Sequence, residues 1–114
     1  MKNFGKLAEN YVLNFFLQKN FILISKNYRY KKFEIDIILK KNDLILFIEV
    51  KARKNNKYGN PEEFLSEGQK NRIHLAAENF LFETKWEKNI RFDIASIFLD
   101  ENKNFILEIF EDAF

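Results

Sequence analysis

The chain contains no cysteine, a single proline, three glycines and one histidine among its 114 residues. Without thiols there is neither a disulfide nor a thiolate zinc ligand, and one imidazole cannot build a histidine-rich metal site. Any metal is therefore a hard ion held by oxygen. So little proline and glycine leaves scant linker material, and no repeat, low-complexity tract or shift of composition marks a second domain. No apolar run approaches the roughly 18 residues of a membrane span. The start Met1-Lys2-Asn3-Phe4-Gly5 has no apolar stretch of signal-peptide length, so a cytoplasmic protein is expected. Nor is there a large excess of one charge: 19 Lys and Arg stand against 17 Asp and Glu, a net +2. That balance names no partner; only its local distribution can.

What is present is an ordinary globular composition, 46% hydrophobic and 32% charged, in a chain long enough to bury about two-thirds of its surface. Leu7, Ala8, Tyr11, Val12, Phe15 and Phe16 recur at helical spacing and predict an amphipathic helix from Leu7 to Leu17, ending near Lys19-Asn20. Phe21 to Ile24 is apolar and Ser25 to Lys32 is polar with Tyr28 and Tyr30 interleaved, a strand leaving the core. Phe33 to Leu39 and Leu44 to Val50 predict two more strands, the second apolar enough to be covered on both faces. Lys40-Lys41-Asn42-Asp43 lies between them, and Asn tolerates the left-handed conformation that tight hairpins need. Asn55 to Pro61 reads as a polar loop. Ile73, Ala76, Ala77, Phe80 and Leu81 make one face of a second helix, from about Ser66 to Phe82. Strands from Ile90 to Leu99 and Phe105 to Phe110, joined at Asp100-Glu101-Asn102-Lys103, close the chain. The order α-β-β-β-α-β-β predicts an α/β fold, a single domain over residues 1–114 with a mixed sheet flanked by helices. Phe4, Phe15, Phe16, Phe80 and Phe82 are assigned to the core ahead of a dimer surface, His74 to a structural or surface role, and Arg91 and Asp93 to a structural pair.

Charged side chains on core strands carry the chemical signal. The Leu44 to Val50 strand runs into Glu49 and Lys51, which share a face with Ile45 and Phe47. On the preceding strand Glu34 and Asp36 share a face, opposite to Ile35 and Ile37. If Lys41-Asn42 is a two-residue turn, Lys40 pairs with Asp43, Asp36 stands opposite Phe47 and Glu34 opposite Glu49. Glu34, Asp36, Glu49 and Lys51 then project from one face, with Asp36 and Glu49 diagonal neighbours about 7–8 Å apart. A one-residue slip would put them on opposite faces. Carboxylates gathered beside a core are costly unless compensated, which points to a divalent ion with an all-oxygen shell, Mg²⁺ above others.

These residues resemble the PD-(D/E)xK nuclease superfamily, and within it the YraN-like family of small bacterial proteins related to archaeal Holliday junction resolvases. The resemblance covers nearly the whole chain. It is carried by GKLAENYVLNFF (5–16), NYRYKKFEIDII (27–38), LFIEVKAR (46–53), YGNP (58–61), the helix bearing Lys70 with Ala76-Ala77, and RFDI (91–94). Glu-Ile-Asp followed by Glu-Val-Lys-x-Arg is the specific part. Phe33 departs from the Gly usual before Glu-Ile-Asp, and Ala8 from the Gly common before the helix Glu; neither is a proposed ligand.

The resemblance implies a restriction-endonuclease-like fold and a metal-dependent DNA endonuclease, acting on branched or structured DNA. A binding module of the same fold without turnover is the alternative. By similarity, Asp36 and Glu49 hold Mg²⁺, or Mn²⁺, helped by the backbone carbonyl of Val50 and by Glu9 from the first helix. Lys51 orients or deprotonates the attacking water and offsets transition-state charge. Gln69 takes an auxiliary polar role. Glu34 is either a partner of the ligands or their competitor. Arg29, Lys31, Lys32, Arg53, Lys54, Lys57, Lys70 and Arg72 form a basic rim suited to phosphate contacts. Tyr28, Tyr30 and Tyr58 either stack on bases or cap the core. Nothing encodes base reading, so recognition of shape is expected, and a symmetric cut on a four-way junction would require a homodimer.

Overall fold

A computed structural model describes residues 4–53 and 64–114; Lys54, Lys57, Tyr58 and the rest of the Asn55 to Pro61 loop lie outside the described residues. The elements are α1 (Phe4–Leu17), β1 (Ile22–Tyr30), β2 (Phe33–Lys41), β3 (Leu44–Arg53), α2 (Glu67–Thr84), β4 (Asn89–Leu99) and β5 (Phe105–Phe110). They build one α/β domain in the anticipated order. The strands form a single sheet in chain order β1-β2-β3-β4-β5. β3 and β4 run parallel, joined through α2, and the other neighbours are antiparallel.

Each helix covers one face of the sheet. Ala8, Val12 and Phe16, spaced by four on α1, meet Ile37, Leu39, Leu46, Ile48, Ala95 and Ile97. Ile73, Ala76, Ala77 and Phe80 of α2 meet Ile35, Ile38, Ile45, Phe47 and Ile94 on the other face. Phe47 is wholly buried there, edge-on to Phe80 and stacked on Phe92. β3 is buried on both faces from Ile45 to Ile48, as its unbroken apolar run requires. Two apolar assignments fail. Phe82 is 83% exposed at the end of α2, and Ile22, Leu23 and Ile24 of the edge strand β1 are exposed, because no further layer reaches them.

The hairpin register differs from expectation. Lys41 pairs with Leu44 and Ile37 with Ile48, so the two-residue turn is Asn42-Asp43, with Asn42 in the left-handed region at φ 53°. This moves the pairing by two positions, which preserves facing: Asp36 now comes directly opposite Glu49 rather than diagonal to it.

α2 begins with a capping box. The Ser66 hydroxyl accepts from Gln69 N–H at 3.1 Å, and Gln69 Oε1 accepts from Ser66 N–H at 2.8 Å. Gly68 lies in this first turn, where an added Cβ would meet the end of the exposed Arg72 side chain at 3.3 Å and the Ser66 hydroxyl at an ordinary 3.9 Å. Gly68→Ala is therefore expected to stabilise the chain by about 0.5 kcal/mol, read as a higher urea midpoint at unchanged slope.

Candidate functional site

The sheet splits at the acidic residues. β2 and β3 pair only as far as Ile37 and Ile48, after which β2 continues against β1 to Phe33 and β3 continues against β4 to Arg53. Asp36 and Glu49 are the next residues, at the base of this fork. With Ile37–Ile48 a hydrogen-bonded pair, as the two-residue turn dictates, Asp36 and Glu49 occupy the position at which opposing side chains lie closest. The Val50 N–H, which would donate to β2 if the ladder continued, donates instead to Asp36 Oδ2 at 2.8 Å. A strand residue points its N–H and carbonyl to the same side, so the Val50 carbonyl also faces the fork.

β2 rotates about its own axis here. Ile37 and Leu39 belong to the α1 layer, whereas Ile35 and Phe33 belong to the α2 layer. Strict alternation would keep all four on one face. The expectation that Glu34 and Asp36 stand opposite both Ile35 and Ile37 is therefore corrected. The neighbouring strand turns at the same level: Lys26 of β1 bonds Asn10 of α1, Tyr28 bonds Glu83 and Asn79 of α2, and Asn27 between them has φ 54°.

The electrostatics follow from this crowding. The Glu49 side chain is 17% exposed and its carboxyl is pushed up to about 8, chiefly by burial, then by the Asp36 charge and a hydrogen bond to it; Lys51 works in the opposite sense. Burial and the facing Asp36 charge thus favour the protonated form of Glu49, which hydrogen-bonds Asp36. Lys51 Nζ lies 3.7 Å from Glu49 Oε2. Glu9, on the α1 side, is also raised, first by burial, then by Asp36, with Lys26 opposing and Glu34 adding.

This arrangement predicts a pH effect. The unfolded chain releases the Glu49 proton near 4.5, whereas the folded chain keeps it to about 8. Between those values the unfolded state binds fewer protons. The stability contributed by this group is thus complete below about 4.5 and lost as pH rises to about 8. Urea unfolding at pH 5 and pH 8 should show a decrement in the wild type that shrinks in Glu49→Gln.

The donor set fits a hard cation. Mg²⁺ commonly uses one or two protein carboxylates and completes its shell with water and phosphate, and Asp36, Glu49 and the Val50 carbonyl supply such a set. Among the described residues no three acidic or imidazole groups converge into a preformed cage. Glu9 acts on Asp36 electrostatically from α1, and Glu34 is drawn off by Arg29, 3.3 Å away.

The basic rim divides. Lys32 and Arg72 are exposed and line, with Glu34, Glu49, Gln69, Phe33 and Ile73, a hollow of about 160 Å³ at the fork. Arg29 is held by Glu34 and Lys70 by Glu67, both at 3.3 Å, and the Arg53 guanidinium stacks on Phe64. Lys54 lies outside the described residues. Gln69 reaches the hollow, yet its side chain serves the α2 cap; the Ser-x-x-Gln spacing was the sequence signal for that role. Tyr28 is tied to α2 and Tyr30 packs on the same layer, so both cap the core. His74 bonds the Phe114 carbonyl and packs on Phe92, a structural residue. Lys26, the cation facing Glu9, carried no signal in the sequence, because its place depends on how β1 meets α1.

Residues 8–97 match the Uncharacterised protein family UPF0102. A UPF0102 protein of Dictyoglomus thermophilum is 40% identical over 102 residues, spanning 89% of this chain and 86% of the relative. One of Cytophaga hutchinsonii is 40% identical over 82% of each chain, and one of Chloroherpeton thalassium is 36% identical over 97% of this chain and 88% of its own. With residues 8–97 matched by the family model and a relative 40% identical over 89% of the chain, the chain belongs to the family UPF0102.

Proposed function

We propose that the chain is a divalent-cation-dependent DNA endonuclease that hydrolyses phosphodiester bonds at the β2–β3 fork. The observation that carries this reading is the geometry at the base of the fork: the Asp36 and Glu49 carboxyls hydrogen-bond each other, with Lys51 Nζ 3.7 Å from Glu49 Oε2. Asp36 and Glu49, with the Val50 carbonyl, would hold Mg²⁺ or Mn²⁺, and Glu9 would add negative charge from α1. When bound, such an ion supplies Lewis-acid stabilisation of charge on the phosphate. Holding it would require the Glu49 carboxyl to give up its proton, so cation affinity is expected to rise with pH up to about 8. The ammonium of Lys51, 3.7 Å from Glu49, would orient the attacking water and offset the negative charge that builds on the phosphate. Lys32 and Arg72, on the rim of the same hollow, take flanking phosphates of the backbone. Among the described residues no side-chain array suits base edges, which favours recognition of DNA shape, with branched substrates first and cytoplasmic DNA as the accessible pool.

A second reading, a DNA-binding module without turnover, is favoured by the lack of three converging acidic groups among the described residues. Incubation of the purified chain with linear, nicked, flapped and four-way DNA, in Mg²⁺ and in EDTA, separates the two. Cation-dependent cleavage of any substrate is expected. Salt-sensitive binding that persists in EDTA without cleavage would support the module instead, and no DNA affinity at low salt would eliminate both.

A further inference from the structure

Arg29 and Glu34 face each other across β1 and β2, and their side chains form an ion pair at 3.3 Å. Both are exposed, 68% and 41%. A pair so open to solvent is worth little and is easily exchanged for another partner. Glu34 is nevertheless not remote from the acidic pair. It lines the same hollow as Glu49, and its charge is felt by Glu9. Among the described residues no third carboxylate converges on Asp36 and Glu49, and Glu34 is the one at the fork whose charge is engaged elsewhere by a guanidinium.

Resting on the function proposed above, we infer that Arg29 is a positioning residue that holds Glu34 away from the cation site and releases it when a backbone phosphate takes the guanidinium. A phosphate is the better partner for Arg29, since it accepts two parallel hydrogen bonds from the planar fork. Once released, Glu34 turns into the hollow and adds a third carboxylate beside Asp36 and Glu49. Cation affinity then depends on substrate: the site is completed only where DNA is seated. By linkage the effect is reciprocal, and a cation that draws Glu34 inward frees Arg29 for DNA.

Two double-mutant cycles on the full chain test this, using wild type, Arg29→Gln, Glu34→Gln and the double variant. Both side chains are exposed, so all four proteins are expected to fold. In the first cycle Mn²⁺ binding is measured by electron paramagnetic resonance without DNA. Arg29→Gln is expected to tighten Mn²⁺ about three-fold more when Glu34 is present than when it is Gln, the scale of an exposed ion pair. In the second, the affinity of a labelled DNA duplex is read by fluorescence anisotropy in EDTA. Glu34→Gln is expected to tighten DNA about three-fold more when Arg29 is present than when it is Gln. Arg29→Lys, which keeps the charge, should restore part of the wild-type behaviour in both. Equal factors in the two backgrounds of the Mn²⁺ cycle would mean that Arg29 acts as a distant charge, and would overturn the inference while leaving the endonuclease reading intact. A coupled Mn²⁺ cycle with an additive DNA cycle would equally overturn it, because release by phosphate would be missing. Failure of the wild type to bind Mn²⁺ would remove the underlying reading and this inference together.

Discussion

Asp36→Asn is expected to reduce cation-dependent DNA cleavage by on the order of 100-fold or more while leaving the chain folded. The substitution is nearly isosteric. Its amide oxygen can still accept the Val50 N–H that Asp36 Oδ2 now accepts at 2.8 Å, so the base of the fork keeps its hydrogen bond. What is lost is the negative charge that a divalent ion requires. The same loss removes the Asp36 charge that helps raise the Glu49 carboxyl, so the wild-type fall in stability between about 4.5 and about 8 should become shallower. Glu49→Gln should abolish cleavage to a similar extent. Lys51→Met should lower kcat with Mn²⁺ binding retained, since in the proposed mechanism the ammonium would serve the water and the phosphate rather than the ion. Cleavage assays on the DNA panel, with circular dichroism as the folding control, check these outcomes. Wild-type rates in Asp36→Asn would show that the fork is not the site of the chemistry.

The largest loss of stability is expected away from the fork, at Asp93. This carboxylate is completely buried and accepts two hydrogen bonds from Arg91, at Nε and Nη2, each 2.9 Å long. It also accepts the backbone N–H of Asp112 at 3.0 Å, where the chain after β5 turns with φ 52°. The tail is fastened to β4 a second time by Ala113 N–H on the Phe92 carbonyl. The hydrogen bonds to Asp93 are the leading cause of the raised Arg91 pKa, and Glu111, 3.5 Å from Nη1, adds to it. Asp93→Ala leaves the guanidinium without its main partner and an N–H without an acceptor. The expected cost is about 3 kcal/mol, a large share of the stability of a domain this size. Asp93→Asn keeps one acceptor oxygen and should cost less. Urea midpoints at unchanged slope measure both. A loss below about 0.5 kcal/mol in Asp93→Ala would mean that water replaces the carboxylate freely, contrary to its burial.

The pairing of Arg91 with Asp93 was legible in the sequence because i and i+2 on a strand share a face. So were the helices, whose apolar residues recur at three and four, and β3, whose apolar run admits only a strand covered on both sides. The same-face placement of Asp36 and Glu49 survived an incorrect turn for a definite reason. Side-chain direction has period two, and moving the turn from Lys41-Asn42 to Asn42-Asp43 shifts the register by two. The shift still mattered, since it turned a diagonal pair into an opposed one and so let the two carboxyls hydrogen-bond. The capping box of Ser66 and Gln69 was equally readable, although Gln69 was assigned to chemistry when its side chain closes the start of α2.

By itself the sequence determined the order of the elements, the two apolar layers, the restriction to oxygen-bound metal, and the presence of Asp36, Glu49 and Lys51 on two consecutive core strands. Those properties are local, set by periodicity and residue type. Only the tertiary structure decided that β2 and β3 part at Asp36 and Glu49, that β2 rotates there to send Ile35 and Ile37 into different layers, and which cations remain at the hollow. Strand divergence and twist arise from competition among neighbours. β2 follows β1 while β3 follows β4, and no residue along either strand encodes which partner it will keep. The near-cancellation of charge was resolved by local contacts: Arg29 went to Glu34, Lys70 to Glu67 and Arg53 onto Phe64, while Lys32 and Arg72 line the hollow with Glu49.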